Sequence, residues 1–407
     1  MFDALFTTTT EYKKLSHALS GKGACALFGL PASGRAQVYA ALCRQLDKPL
    51  CIVTPGEAEA TRFAADLNTL GIPTAVFPAR DYVLRPIEGT AREYEYRRLA
   101  VLGELVGGRL RAVAVPAEAL TQFTTPKEDF CANTRTLHAG DTLLRDDLLA
   151  ALFGAGYTRR AQVDGPGQFS VRGDIVDIFA PDQKMPVRME FWGDEIDTLH
   201  TFDLTTQRRE DAIDKFYLSP AREVLFGKPA DAAEQLRAFL AKQRGKKKTA
   251  MADCMAADLD LLDGGAVPVN MDKYLAVRYP HPATVLDYFD DPILVAEEPA
   301  SIREADRATA YRRGEELKSL ILDGVLCAGL DNLYADPSYL WSKTGHYRTI
   351  CAENFARSMP DQPLKDIINT PAHALPAWNG EVAGLLEDLK PLCDAGYTVT
   401  LLAGTDR

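Results

Sequence analysis

Residues 168–181 read QFSVRGDIVDIFAP and residues 187–203 read VRMEFWGDEIDTLHTFD, two β-rich stretches joined by the turn-rich DQKMP at 182–186. Side chains alternate across a strand with period two, so each stretch sorts its residues onto two faces. Read as one continuous strand, the first puts Phe169, Val171, Ile175 and Phe179 on one face and Ser170, Arg172 and Asp174 on the other. The second puts Val187, Met189 and Phe191 on one face and Arg188, Glu190 and Trp192 on the other. If the apolar faces form a core, Arg172, Arg188 and Trp192 share the outer face. A tryptophan flanked by arginines has the composition of a binding hot spot. The same residues also suit a plainer role, in which Trp192 packs at a domain seam and the arginines pair with Asp174 and Glu190.

Working outward, Leu143, Leu144, Leu148, Leu149 and Leu152 make the apolar side of a short helix just before these strands, which predicts a small α+β domain. Upstream, short apolar runs bounded by Gly or Pro alternate with amphipathic stretches. GACALFGL is followed by a helical pattern to Leu46, PLCIVTP by one over Glu57 to Leu70, TAVFPA by one over Ala91 to Leu105, and then comes RAVAVPAEAL. That order predicts a parallel sheet covered by helices. Residues from about 220 to 365 return to helices and short apolar strands such as PILVAEEP. Their basic run KQRGKKK at 242–248 reads as a solvated helix end. After NTPAHALPAWNG, a helix over Glu381 to Leu392 leads to a strand over YTVTLLAG, so a further βα unit is opened and not completed. The expectation is an amino-terminal piece of a longer protein.

Composition narrows the function. The net charge of −11 argues against a chain whose main task is neutralising nucleic-acid phosphates. The eight cysteines are scattered singly, without C-x-x-C or a histidine pair at metal-ligand spacing, as in reduced cytoplasmic proteins. Neither a secretion signal nor a membrane span is legible. The six histidines form no nucleophile or metal constellation, so no catalytic residue and no metal ligand is assigned.

GLPASGRA at 29–36 has the spacing of a phosphate-binding loop, G-x-x-x-x-G-K-[ST], between a strand and a helix. Arg35 stands in place of the lysine that reaches the terminal phosphates, and Ala36 in place of the hydroxyl that ligates magnesium. Gly29 and Gly34 are retained and are expected to keep the strand-to-helix turn. VLDYFDDPILVAEEPAS offers Glu297 and Glu298 at a strand end, where such a site carries its acidic metal-binding pair. Together they look like both halves of one degenerate nucleotide site.

QFSVRGDIVDIFAP, VRMEFWGDEIDTLHTFD and the following TTQRRED resemble the signature that the excinuclease component UvrB shares with the bacterial transcription-repair coupling factors (Mfd). GLPASGRA and LDYFDDPILVAEEPA fall where the UvrB family has its phosphate loop and acidic strand. An intact loop and acidic motif would indicate UvrB; both are degraded here. The stretch 77–100, FPARDYVLRPIEGTAREYEYRRLA, also passes into a helix with no room for the DNA-gripping aromatic hairpin of UvrB.

The resemblance is therefore to the amino-terminal, UvrB-like module of the coupling factors. It implies a degenerate helicase-like α/β parallel-sheet domain split in sequence by a small inserted α+β domain. The segments are 1–126 (first segment), 127–219 (inserted, UvrA-binding-like), 220–365 (second segment) and 366–407 (linker and start of a further α/β domain). It implies UvrA as partner, with Arg172, Arg188 and Trp192 matching the contact positions, and no cofactor in this chain. ATP and magnesium are expected only for motor domains beyond it, in an ATP-dependent double-stranded DNA translocase that engages RNA polymerase. There the UvrA-binding surface is thought to be covered by the carboxyl-terminal domain. The rival readings are a divergent UvrB-like ATPase using Arg35 with Glu297 or Glu298, and a direct damaged-DNA binder.

Overall fold

The computed structural model describes residues 7–87, 89, 91–359, 362–370, 381–397 and 399. They fall into two units, Met1–Thr370 and Pro371–Arg407. In the first unit a seven-stranded parallel sheet runs in the order β15-β1-β14-β13-β2-β4-β3. β1 (Gly23–Phe28), β2 (Leu50–Thr54), β3 (Thr74–Val76) and β4 (Ala112–Pro116) come from the first segment. β13 (Ile293–Glu297), β14 (Arg348–Glu353) and β15 (Leu364–Asn369) come from the second, and β13 and β14 lie between β1 and β2. The sheet cannot close until the chain returns from the insertion.

Apolar cores cover both faces. Phe28, Val53, Leu102 and Phe130 pack on one side, and Leu27, Tyr39, Ile52 and Phe63 on the other. That two-sided burial is why β1, β2 and β4 are uninterrupted apolar runs. The second segment reaches farther than residue 365, because β15 pairs with β1 as far as Asn369. A third core, mostly helical, gathers Leu236, Met255, Tyr274 and Leu330. The run KQRGKKK is exposed at a helix end as expected, closing the helix Pro229–Ala241 at Lys242 and opening the next, Gly245–Asp263.

The inserted region holds the strands β6 (Thr158–Arg159), β7 (Gln168–Arg172), β8 (Ile175–Phe179), β9 (Val187–Trp192), β10 (Glu195–Phe202) and β11 (Arg209–Ala212) in a six-stranded sheet ordered β11-β10-β9-β8-β7-β6, together with a two-stranded sheet. Its ends are β5 (Arg135–His138) and β12 (Lys215–Leu218), which pair antiparallel and bring entry and exit together. A buried ionic network anchors the exit. Arg98, in the helix Glu93–Val106, grips Glu223 through Nε–Oε1 at 2.6 Å, and Arg80 grips Asp272 through Nη1–Oδ2 at 2.7 Å. Arg80 Nε lies 3.3 Å from Glu223 Oε1, so one carboxylate joins insertion, helix and helical layer. Tyr96 adds a bond from its hydroxyl to the carbonyl of Pro166 at 3.0 Å.

Among the described residues of the second unit there is a helix, Val382–Asp394, close to the expected bounds. The strand expected over YTVTLLAG lies almost wholly outside the described residues.

Candidate functional sites

The two halves of the degenerate nucleotide motif meet. β1 ends at Phe28, Gly29 follows with φ +88°, and the helix Ala32–Leu46 begins three residues after that glycine. Gly29 needs its missing side chain, since a Cβ there would lie 2.3 Å from the carbonyl oxygen of Thr370. Gly34 does not: it lies inside the helix, with ordinary contacts around a Cβ. The loop is therefore shorter than the motif predicts, and the expectation that both glycines serve the turn holds for Gly29 alone.

Arg35 is buried, and its Nη2 lies 2.8 Å from Glu297 Oε2 and 3.0 Å from Glu298 Oε1. Its Nη1 donates to the carbonyl of Leu30 at 3.1 Å. Tyr39, one turn along the same helix, donates its hydroxyl to Glu297 Oε1 at 2.5 Å. Burial pushes Glu297 up to about 7 against the opposing pull of Arg35. Glu298 adopts a left-handed backbone (φ 52°) and also accepts from the amide of Asn354 at 3.2 Å. A basic side chain after the glycine turn thus occupies both acids at the end of β13.

In the insertion, the long first strand of the sequence reading is a hairpin. β7 (Gln168–Arg172) and β8 (Ile175–Phe179) are antiparallel around Gly173-Asp174, with Gly173 at φ 61° in the first central position, as a II′ turn requires. The turn breaks the parity count. Ile175 and Phe179 lie on the face of Arg172, opposite Phe169 and Val171, which pair with Ile178 and Val176. β9 (Val187–Trp192) and β10 (Glu195–Phe202) repeat the device around Gly193, at φ 62°. The core face carries Phe169, Val176, Ile178, Met189 and Leu199 against Leu148 and Leu152.

Arg172, Arg188 and Trp192 do share the opposite face, but not as three exposed anchors. Trp192 is 81% exposed and the Arg172 side chain 47%, whereas Arg188 is only 9% exposed. Arg188 is bound to Asp177 by two bonds, Nε–Oδ1 at 2.7 Å and Nη2–Oδ2 at 3.0 Å. It stacks over Phe202 at 4.7 Å and donates from Nη1 to the carbonyl of Gln207 at 3.2 Å. The TTQRRED turn therefore folds over it. Arg172 reaches the same carboxylate, Nη2–Oδ2 at 2.5 Å. The plainer pairing also differs from expectation: Asp174 is met by Arg145 and Glu190 by Arg209.

Asp177, fully buried, is the organising residue that sequence reasoning missed. Its signal was present, because an acid inside the apolar run IVDIF needs a cationic partner on a neighbouring strand. The register opposes Asp177 to Arg188 directly.

These features define a class: a helicase-like parallel-sheet domain, split in sequence, with an inserted UvrB-type domain. Residues 136–224 match the family model described as the UvrB interaction domain. Over 387 residues, 92% of the chain, it is 25% identical to the transcription-repair-coupling factor of Bacillus subtilis (strain 168), covering 33% of that protein. It is 35% identical to that of Myxococcus xanthus over 207 residues, 48% of the chain and 17% of that protein. For Mycobacterium bovis the figures are 34% over 257 residues, 61% of the chain and 20% of that protein. These matches bear out the resemblance to the amino-terminal UvrB-like module of the coupling factors. The chain spans about a third or less of the length of these relatives.

Proposed function

We propose that this chain is a recruitment module of transcription-coupled repair. Its inserted domain binds UvrA and so brings nucleotide excision repair to a stalled RNA polymerase. The observation that carries the reading is Trp192, a large aromatic left 81% exposed on the sheet face it shares with Arg172. Few buried contacts restrain it, and aromatic and arginine side chains make the anchors of such contacts. Asp177 fixes Arg172 from below, so this guanidinium meets a partner carboxylate already oriented.

The chain acts without ATP hydrolysis of its own. A nucleotide with magnesium would need a hydroxyl that Ala36 lacks and acids that Arg35 already occupies, so these residues do not fit that pair. The ATP-driven translocase activity, and the contacts with RNA polymerase, double-stranded DNA and the carboxyl-terminal domain, belong to the longer protein of which this is a module. The cytoplasm is its place of work. Among the described residues no helix is long and apolar enough to cross a membrane.

The test is capture of purified UvrA by the immobilised chain. Capture that disappears with Trp192→Ala supports the reading, and equal capture by the variant overturns it. Calorimetry with magnesium and ATP tests the second part, where binding with turnover would make the chain an ATPase.

A further inference from the structure

Away from both sites, the helix Pro299–Leu322 lines an open cavity of about 180 Å³ with Asp306, Thr309, Ala310, Arg313 and Gly314, facing Tyr334 across the cleft. Asp306 is 7% exposed, and among the described residues no hydrogen bond or ion pair reaches its carboxylate. A buried carboxylate without a partner is costly, and such groups are normally paired. Arg313, its nearest candidate, is engaged elsewhere. It donates from Nη1 to Thr121 Oγ1 and from Nη2 to the carbonyl of Glu118, both at 2.8 Å, and stacks on the Tyr334 ring at 4.0 Å. The cavity therefore offers a carboxylate that feels the Arg313 charge but that no hydrogen bond or salt bridge satisfies.

We infer that this cavity is a docking pocket for a basic side chain, arginine or lysine, of a protein segment. The cationic head would pair with Asp306, while Leu317, Pro337 and the Tyr334 ring flank the alkyl stem. Ala310 and Gly314, one turn apart, leave the space through which the stem passes. Burial raises Asp306 to about 6, which leaves it mostly ionised at neutral pH. A single carboxylate without other oxygen ligands suits an organic cation better than a divalent metal, which takes several. The adjoining Tyr311 is 76% exposed, leaving aromatic surface on the same helix for the rest of the segment.

The experiment is methyl NMR of the whole chain with labelled alanines, read at Ala310 and Ala335. The probes are Ac-Gly-Arg-Gly-NH2, Ac-Gly-Lys-Gly-NH2, the neutral Ac-Gly-Gln-Gly-NH2 and propylguanidinium. Saturable shifts are expected with both basic peptides, at least tenfold weaker in Asp306→Asn, and lost in Ala310→Leu, which fills the cavity and leaves the charge. Asp306→Asn should also unfold at an equal or higher temperature, because it removes a charge whose burial outweighs the attraction of Arg313. An equal response to the glutamine peptide, no saturation, or unchanged binding by Asp306→Asn would overturn the inference. Binding of propylguanidinium without either peptide would overturn the protein-segment assignment.

Discussion

Replacing Arg188 with methionine separates a contact residue from a structural one. Arg188 keeps its stem in that variant but loses the guanidinium that holds Asp177, which is fully buried. Removing one partner of a buried ion pair costs about 3–5 kcal/mol, because the other charge stays behind. Arg172 still reaches Asp177 Oδ2 from a half-exposed position, so the low end applies. At about 1.4 kcal/mol per tenfold, a loss of ~3 kcal/mol speeds local opening roughly 100-fold. Hydrogen exchange followed by mass spectrometry reads this directly. Amides of β8 and β9 should lose about that much protection, while those of β2 and β13 in the parallel sheet keep theirs. Wild-type exchange across β8 and β9, with UvrA binding abolished, would refute the reasoning and return Arg188 to the contact surface. By the same logic Arg188→Glu, which sets a second carboxylate against Asp177, cannot serve as a fold-neutral probe.

The glycines of the degenerate loop should respond oppositely. Gly29→Ala meets a positive φ and the Thr370 carbonyl, and should cost about 2 kcal/mol or more. Gly34→Ala, in a helix with free space, should stabilise by about 0.5–1 kcal/mol; denaturant titration checks both. Glu297 is raised from 4.5 to about 7 in the folded chain, so the folded state binds its proton more tightly than the unfolded one. Its ionisation therefore subtracts stability as pH rises between about 4.5 and about 7, and melting curves of Glu297→Gln across that window should lose this decline.

Much of the parallel sheet is legible in the sequence because burial on both faces leaves β1, β2, β4 and β13 no choice but apolar residues. β15 is not legible: as an edge strand, LKDIIN exposes Lys365, Asp366 and Ile367, and its pattern carries little of the core. The meeting of Arg35 with Glu297 and Glu298 follows from recognising both halves of one motif, although neither half specifies an ion pair. In the insertion, a period-two count carried through Gly173-Asp174 misplaced Ile175 and Phe179, because a two-residue turn resets the face. Exposure was misjudged at Arg188 because its partner Asp177 lies on another strand, and alternation assigns a face without saying what covers it. Asp306 left no signal, being one acid among many on a charged helix.

The central claim is that the exposed part of the inserted sheet, Trp192 with Arg172, carries the contact with UvrA. The most direct test is a titration of UvrA against the chain and its Trp192→Ala and Arg172→Ala variants, with melting temperatures measured alongside. Trp192→Ala should weaken binding by about 2 kcal/mol or more, roughly 30-fold, with an unchanged melting temperature; Arg172→Ala should weaken it at least tenfold. Wild-type affinity in both folded variants would contradict the account.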